Sequence, residues 1–330
     1  MAKIKYSKPV RWGIIGCGDV TEVKSGPAYQ KTEGFELVAV MRRDEVKLRD
    51  YANRHGIKKY YTSADALIHD DHIDAIYIAT PPDSHLFYAL KVAEAGKPCC
   101  IEKPLAPSYR ESSLIYKAFE KKDIPLFVAY YRRSLPRFTQ IKYWLSENKI
   151  GEIRHISWHL SQPPNAVDLS GEYNWRTDPM VAPGGYFDDL ASHGLDLFTY
   201  FLGNIQEVSG LSLNQQGLYA AKDAISACWL HKGDITGVGV WNFGIERMDR
   251  VEIYGSKGKI QFSVFAEGPL MLEKEGEKTE LFIEHPIHVQ MPHVNNMKKH
   301  LFEKDFLHPS LGHTAVHTSW VMDQILGLHS

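Results

Sequence analysis

Up to about residue 130 the chain alternates short apolar runs with longer stretches of helical periodicity, and that rhythm admits few architectures. Residues 10–15, 35–41, 75–79, 98–101 and 126–129 read as strands. Between them, 45–55, 84–95 and 108–122 carry apolar residues at the spacing of one helix face. Ala95-Gly96 stops the second of these, and Lys97-Pro98 cannot continue it. Strands alternating with helices predict an α/β fold built on a doubly wound parallel sheet, placed here at residues 1–129.

Beyond residue 150 the texture changes. Residues 154–162, 208–213, 224–230, 236–242 and 250–254 read as strands with few helices between, and Lys257-Gly258-Lys259 as a turn before another strand. One strong helix interrupts them at 186–201, and a last helix at 315–326 is expected to pack back on the body. This predicts a second, α+β domain over 130–330 with an open, mostly antiparallel sheet. The length of 330 residues agrees with two domains, since a single core seldom grows that far.

Bulk properties exclude several classes. The formal net charge of −2 gives no support to a nucleic-acid or anionic-membrane partner. No apolar run is long enough to span a bilayer. Met1–Lys8 is polar and basic and does not resemble a secretory leader. The four cysteines, Cys17, Cys99, Cys100 and Cys228, form no Cys-x-x-Cys pair, and three lie in apolar strand-like segments. Free thiols behaving as small hydrophobes suit a reducing cytoplasm.

Gly16-Cys17-Gly18 follows the first strand directly and opens a helical run. Small residues there let the backbone approach a pyrophosphate, while Asp19 and Val20 begin a helix whose N–H groups face it. Thr21 stands where a third glycine would complete the dinucleotide fingerprint. The second strand ends in Arg42-Arg43, which suits the 2′-phosphate of NADP; Asp44 keeps NAD open. Thr80-Pro81-Pro82 stiffens a loop at the carboxyl edge of the sheet, and Asp83-Ser84 then caps a helix. His85 is expected beside the cofactor or at the surface.

A buried strand ends in Glu102-Lys103-Pro104. A lysine there points into the ligand crevice and serves as a proton donor or relay, unless it merely pairs with Glu102 at the surface. Asp189 and His193 share one helix face, with Asp196 one turn further on. A histidine exchanges a proton with a hydroxyl near neutral pH, and an aspartate orients it or binds a neighbouring hydroxyl. Pro183-Gly184-Gly185 before the helix would let backbone approach a ligand. No metal is expected, since no third ligand accompanies Asp189 and His193, and His313 and His317 read as helix surface or packing.

On these residues the chain resembles the family of glucose–fructose oxidoreductase, inositol 2-dehydrogenase and MocA-type proteins. The likeness runs from about Val10 to the final helix, and is sharpest at Glu102-Lys103-Pro104 and over 184–196. Pro183, Ala191 and Thr21 replace glycines usual in the family. The resemblance implies a Rossmann domain followed by an α+β domain whose large open sheet forms homodimers or homotetramers. It implies Lys103, Asp189 and His193 as catalytic residues, with Tyr131, Arg132, Trp175 and Arg176 on the substrate side. The aromatic residues Tyr130, Tyr131, Trp158, Tyr173 and Trp175 suit either sugar stacking or core. The implied activity is hydride transfer between NADP or NAD and a sugar, cyclic polyol or keto-sugar. Two alternatives are an NAD-dependent glycoside-cleaving enzyme using transient C3 oxidation and a non-catalytic NADP-sensing regulator.

Overall fold

A computed structural model describes residues 9–328; Met1–Lys8, on which the leader expectation rests, lies outside them. The described chain separates into two compact units. Unit 1 holds the residues up to Ala106, Arg110–Ser134 and Pro286–Val316; unit 2 holds Pro107–Tyr109, Leu135–His285 and the residues from His317 on. The single break expected between residues 129 and 130 therefore gives way to a discontinuous division. The reason is an apolar helix face late in the chain: Val294, Met297 and Leu301 join Val10, Trp12, Tyr29 and Phe35 in one buried cluster of unit 1.

In unit 1, β1 (Val10–Ile15), β2 (Phe35–Met41), β3 (Lys59–Tyr61), β4 (Ala75–Ile78), β5 (Cys99–Ile101) and β6 (Leu126–Val128) form a sheet in the order β3-β2-β1-β4-β5-β6. Every neighbouring pair is parallel. The helices are α1 (Asp19–Val23), α2 (Gly26–Lys31), α3 (Glu45–Arg54), α4 (Ala64–Ile68), α5 (His85–Glu94), most of α6 (Tyr109–Lys121), and α10 (Met291–Phe302). β4 is buried at all four positions, as a strand covered on both faces requires. The strand order turns back between β1 and β4, which places a ligand crevice at their carboxyl ends. Sequence periodicity missed β3, an edge strand of three residues of which Lys59 and Tyr60 are exposed.

In unit 2, β7 (Ile153–Ser161), β8 (Ile205–Leu213), β9 (Ala224–His231), β10 (Ile235–Asn242), β11 (Met248–Gly255), β12 (Gly258–Phe262), β13 (Leu270–Lys274) and β14 (Glu277–Leu281) form an eight-stranded sheet, ordered β14-β13-β12-β11-β7-β10-β9-β8. The β7–β10 pair is parallel and the other pairs are antiparallel. The helices are α7 (Pro136–Ser146), α8 (Ala166–Ser170), α9 (Tyr186–Leu202) and most of α11 (Gly312–Leu326). α9 packs on the inner face of the sheet through Phe187 and Phe198, which meet Trp241, Trp158 and Trp229. Gly194 lies flat on Trp158, where any Cβ would overlap the indole. Trp158 is therefore core, with its Nε1 donating to Asp249 at 3.0 Å. Cys228 departs from the hydrophobe expectation: it is exposed on the outer face. Among the described residues, no helix is long and apolar enough to cross a membrane.

Candidate active site

The expected site residues fall on both units, and in each unit local constraints place them. In unit 1, Gly16 has φ +90°, and a Cβ on it would stand 2.6 Å from Thr80 Cγ2, so the loops after β1 and β4 meet where only glycine fits. A Cβ on Gly18 would meet nothing within 4 Å, which leaves that side of the turn open to a ligand. Thr21 takes the place of the third glycine by capping: Gly18 N–H donates to Thr21 Oγ1 at 3.0 Å, and that hydroxyl donates to Gly18 O at 2.7 Å. The close approach a third glycine would allow falls instead to Gly26, whose missing side chain makes room for the Thr21 carbonyl. Tyr51 Oη donates to the same carbonyl at 3.0 Å. Asp19 is exposed and Val20 half-buried in the first turn of α1.

Arg42 donates from Nη1 to Cys17 O at 3.0 Å, which fixes its guanidinium beside the turn. Arg43 is exposed. Asp44 caps α3, accepting Lys47 N–H at 3.1 Å, and that hydrogen bond holds its carboxyl below the ordinary value. Thr80 Oγ1 accepts from Ser84 Oγ at 2.7 Å, and Pro82 opens a single 3-10 turn through Ser84. Ser84 was expected to cap α5; its hydroxyl is used on Thr80 and Pro81 O instead. His85 is fully buried, not at the surface. Its Nε2 lies 2.8 Å from Thr80 O and its Nδ1 3.1 Å from Leu105 O, so the ring straps the Thr80 loop to the segment after Lys103. Burial lowers its pKa.

Glu102 is 8% exposed, too buried for a solubilising surface charge. Its Oε1 accepts from Tyr77 Oη at 2.5 Å and from Gln290 Nε2 at 2.7 Å; its Oε2 accepts from Lys103 N–H at 3.3 Å. Lys103 follows, half-buried, with a cis bond to Pro104. Tyr131 and Arg132 lie in a 3-10 turn after β6, with the Arg132 guanidinium 5.2 Å over the Tyr131 ring. Tyr130, a stacking candidate, is fully buried core.

In unit 2, Asp189 and His193 sit one turn apart in the first half of α9. Asp189 Oδ2 accepts from Arg176 Nε at 2.6 Å, and Arg176 lies 4.4 Å over the Trp175 ring. The aspartate, the arginine and the tryptophan are thus one assembly. His193 is 5% exposed, edge-on to Phe265 at 5.9 Å. Asp196 does not extend the site; it is buried and accepts from Thr318 Oγ1 at 3.3 Å. The glycines ahead of α9 make room for protein, not ligand. A Cβ on Gly185 would stand 2.5 Å from Lys222 O, and one on Gly184 2.6 Å from Asp188 Oδ1. Asp188 is buried and accepts Gly184 N–H at 2.8 Å; burial pushes its carboxyl up to about 7.

Two groups escaped sequence reasoning. Gln290 reaches Glu102 from the far end of the chain, and no local pattern announces it. Around Tyr186, the hydroxyl donates to Asp168 at 2.8 Å and accepts from Asn174 at 2.8 Å, while Asn165 caps α8 with Asp168 in a reciprocal box. The Asn165-x-x-Asp168 spacing was a readable cap signal. Among the described residues, no group of three or more His, Cys, Asp or Glu is placed to hold a metal.

A glycine turn at the switch point of a parallel sheet, opening a helix whose N–H groups face it, defines a dinucleotide-binding class. Residues 10–130 match the model of the oxidoreductase family with NAD-binding Rossmann fold, and residues 138–261 that of the GFO/IDH/MocA C-terminal domain. The chain belongs to this Gfo/Idh/MocA oxidoreductase family. Oxidoreductase P35 of Formosa agariphila is 41% identical over 285 residues, covering 86% of this chain and 88% of the relative. Levoglucosan dehydrogenase in complex with NADH and levoglucosan has the same fold, with a TM-score of 0.85 at 20% identity over 96% of each chain. So does KijD10, a 3-ketoreductase from Actinomadura kijaniata in complex with TDP-benzene and NADP, with a TM-score of 0.78 at 18% identity over 96% of each chain.

Proposed function

We propose that the protein moves a hydride between NADP and a carbinol or carbonyl carbon of a sugar, cyclic polyol or keto-sugar. The observation that carries the reading is Lys103, held at the carboxyl end of β5 directly after a buried, doubly clamped Glu102. When bound, the dinucleotide supplies the hydride donor or acceptor. The open side of Gly18, the tight Gly16 and the Thr80-Pro81-Pro82 loop fit its pyrophosphate. Arg42 and Arg43 would take a 2′-phosphate, while Asp44, the acidic candidate for a free 2′-hydroxyl, is committed to its cap. Structural neighbours hold either cofactor, so the preference for NADP rests on these three residues.

Each catalytic group then has one task. His193 takes the proton of the reacting hydroxyl in oxidation and returns it in reduction. Lys103 donates a hydrogen bond to the same oxygen and stabilises its developing charge. Asp189, braced by Arg176, orients the histidine or a neighbouring hydroxyl, and Trp175, Tyr131 and Arg132 border the sugar. The sugar or polyol class is supported by the levoglucosan held by one neighbour. Association through the unit 2 sheet, as a homodimer or homotetramer, is supported by the exposed Leu211, Leu213, Val238 and Val240 on its outer face. A cytoplasmic setting is supported by the four free cysteines.

Fluorescence titration with NADPH and NADH side by side tests the cofactor. Tighter NADPH binding is expected, and no binding of either would end the proposal. Lys103→Met should abolish turnover with cofactor affinity kept; normal turnover would remove Lys103 from its role.

A further inference from the structure

Gln290, from late in the chain, joins two parts of unit 1 that lie at residues 24 and 102. Its main-chain N–H donates to Lys24 O at 3.3 Å, at the end of the helix that follows the glycine turn. Its side-chain Nε2 donates to Glu102 Oε1 at 2.7 Å, one residue before Lys103. The neighbouring His288 adds a second tie to the same helix end. Lys31 Nζ, a donor only, lies 2.7 Å from His288 Nε2, so the proton sits on Nδ1, which donates to Val23 O at 2.8 Å.

From the other side, Tyr77 Oη lies 2.5 Å from Glu102 Oε1 and 3.1 Å from Ser25 Oγ, and Ser25 Oγ donates to Val20 O at 3.1 Å. One hydrogen-bonded route, through Gln290, therefore runs from the end of the helix after the glycine turn to a carboxylate oxygen that Tyr77 holds from the other side. Gln290 is fully buried, yet its Oε1 has no partner among the described residues. Turning the amide over would face that oxygen to the carboxylate. The side chain keeps a costly unpaired acceptor in order to deliver one donor to Glu102.

We infer that Gln290 is a positioning residue for Lys103, acting through Glu102 and registering the catalytic loop to the cofactor turn. The inference rests on the role proposed for Lys103, and its test includes a readout that needs no substrate. Gln290→Met keeps the volume and the main-chain tie but removes the side-chain donor. In the cofactor-free protein, hydrogen exchange of residues 102–106 should accelerate about tenfold, with residues 19–25 unchanged. In turnover, kcat should fall about tenfold while substrate KM and cofactor Kd stay within about twofold. Tyr77→Phe, which removes the other donor, should show the same split. Unchanged exchange at 102–106, or loosening of 102–106 and 19–25 together, overturns the inference. Accelerated exchange at 102–106 alone, in a protein whose wild type shows no nicotinamide-linked turnover, upholds the positioning and overturns the redox reading instead.

Discussion

Asp188 makes the stability of unit 2 depend on pH in a direction that can be worked out. The residue is 5% exposed in the first turn of α9, and burial, with Asp323 and Asp189 nearby, raises its pKa from 3.8 to about 7. An acid whose folded value lies above its unfolded value holds its proton more tightly when folded. Below about pH 4 both states are protonated and the group costs nothing. Between about pH 4 and 7 the unfolded chain ionises and the folded one does not, so stability is lost progressively, and above about 7 the loss is complete. At about 1.4 kcal/mol per pH unit, the interval from 3.8 to about 7 amounts to about 4 kcal/mol. Asp323, pushed up to about 6 mainly by burial, lies near Asp188, so the two contributions do not simply add. Asp188→Asn cannot ionise and keeps an oxygen for Gly184 N–H. In thermal melts from pH 5 to 8.5, the variant should outlast the wild type at pH 8 by on the order of 10 °C. The gap should narrow steadily as the pH falls towards 4. Parallel curves for the two proteins would refute the argument.

Replacing Arg42 and Arg43 together by alanine should weaken NADPH about tenfold or more and leave NADH within about twofold, by fluorescence titration; equal losses would mean that neither guanidinium meets a 2′-phosphate. Arg176→Ala should lower kcat/KM on the order of 100-fold by removing the brace that Arg176 gives Asp189, and Arg176→Lys should not restore it, since an ammonium lacks the planar fork that stacks on Trp175. Gly194→Ala should cost about 1–3 kcal/mol in denaturant unfolding because the new methyl overlaps Trp158, and an unchanged midpoint would mean that α9 shifts freely on the sheet.

The parallel sheet of unit 1 and α9 of unit 2 were legible because β1, β2, β4 and the start of α9 announce themselves locally, through apolar runs and helix spacing. The return of residues 286–316 to unit 1 was not, because α10 is amphipathic like any surface helix and its partners, Trp12 and Tyr29 among them, precede it by more than 250 residues. A separation of 188 residues likewise hid Gln290 behind Glu102. Spacing did suggest that Asp189 and His193 share a face, but it could not say that Asp189 is bound to Arg176. Glycines were the least legible. Gly184 and Gly185 invited a ligand and instead accommodate Asp188 and the Lys222 carbonyl, while Gly26, unnoticed, does the close-packing work expected at Thr21.

Chain connectivity also sets an order of synthesis. Unit 1 draws its residues from before Ser134 and from Pro286–Val316, with nearly all of unit 2 encoded in between. At about 5–20 residues per second, translation from residue 134 to residue 316 takes roughly ten to forty seconds. During that interval the apolar surface that later receives Val294, Met297 and Leu301 is bare, and the nascent chain must be kept from aggregating by whatever attends the ribosome. A slow-codon cluster placed late in the message would lengthen that exposure. The yield of active protein would then depend on translation speed over its last tenth, although no amino acid had changed.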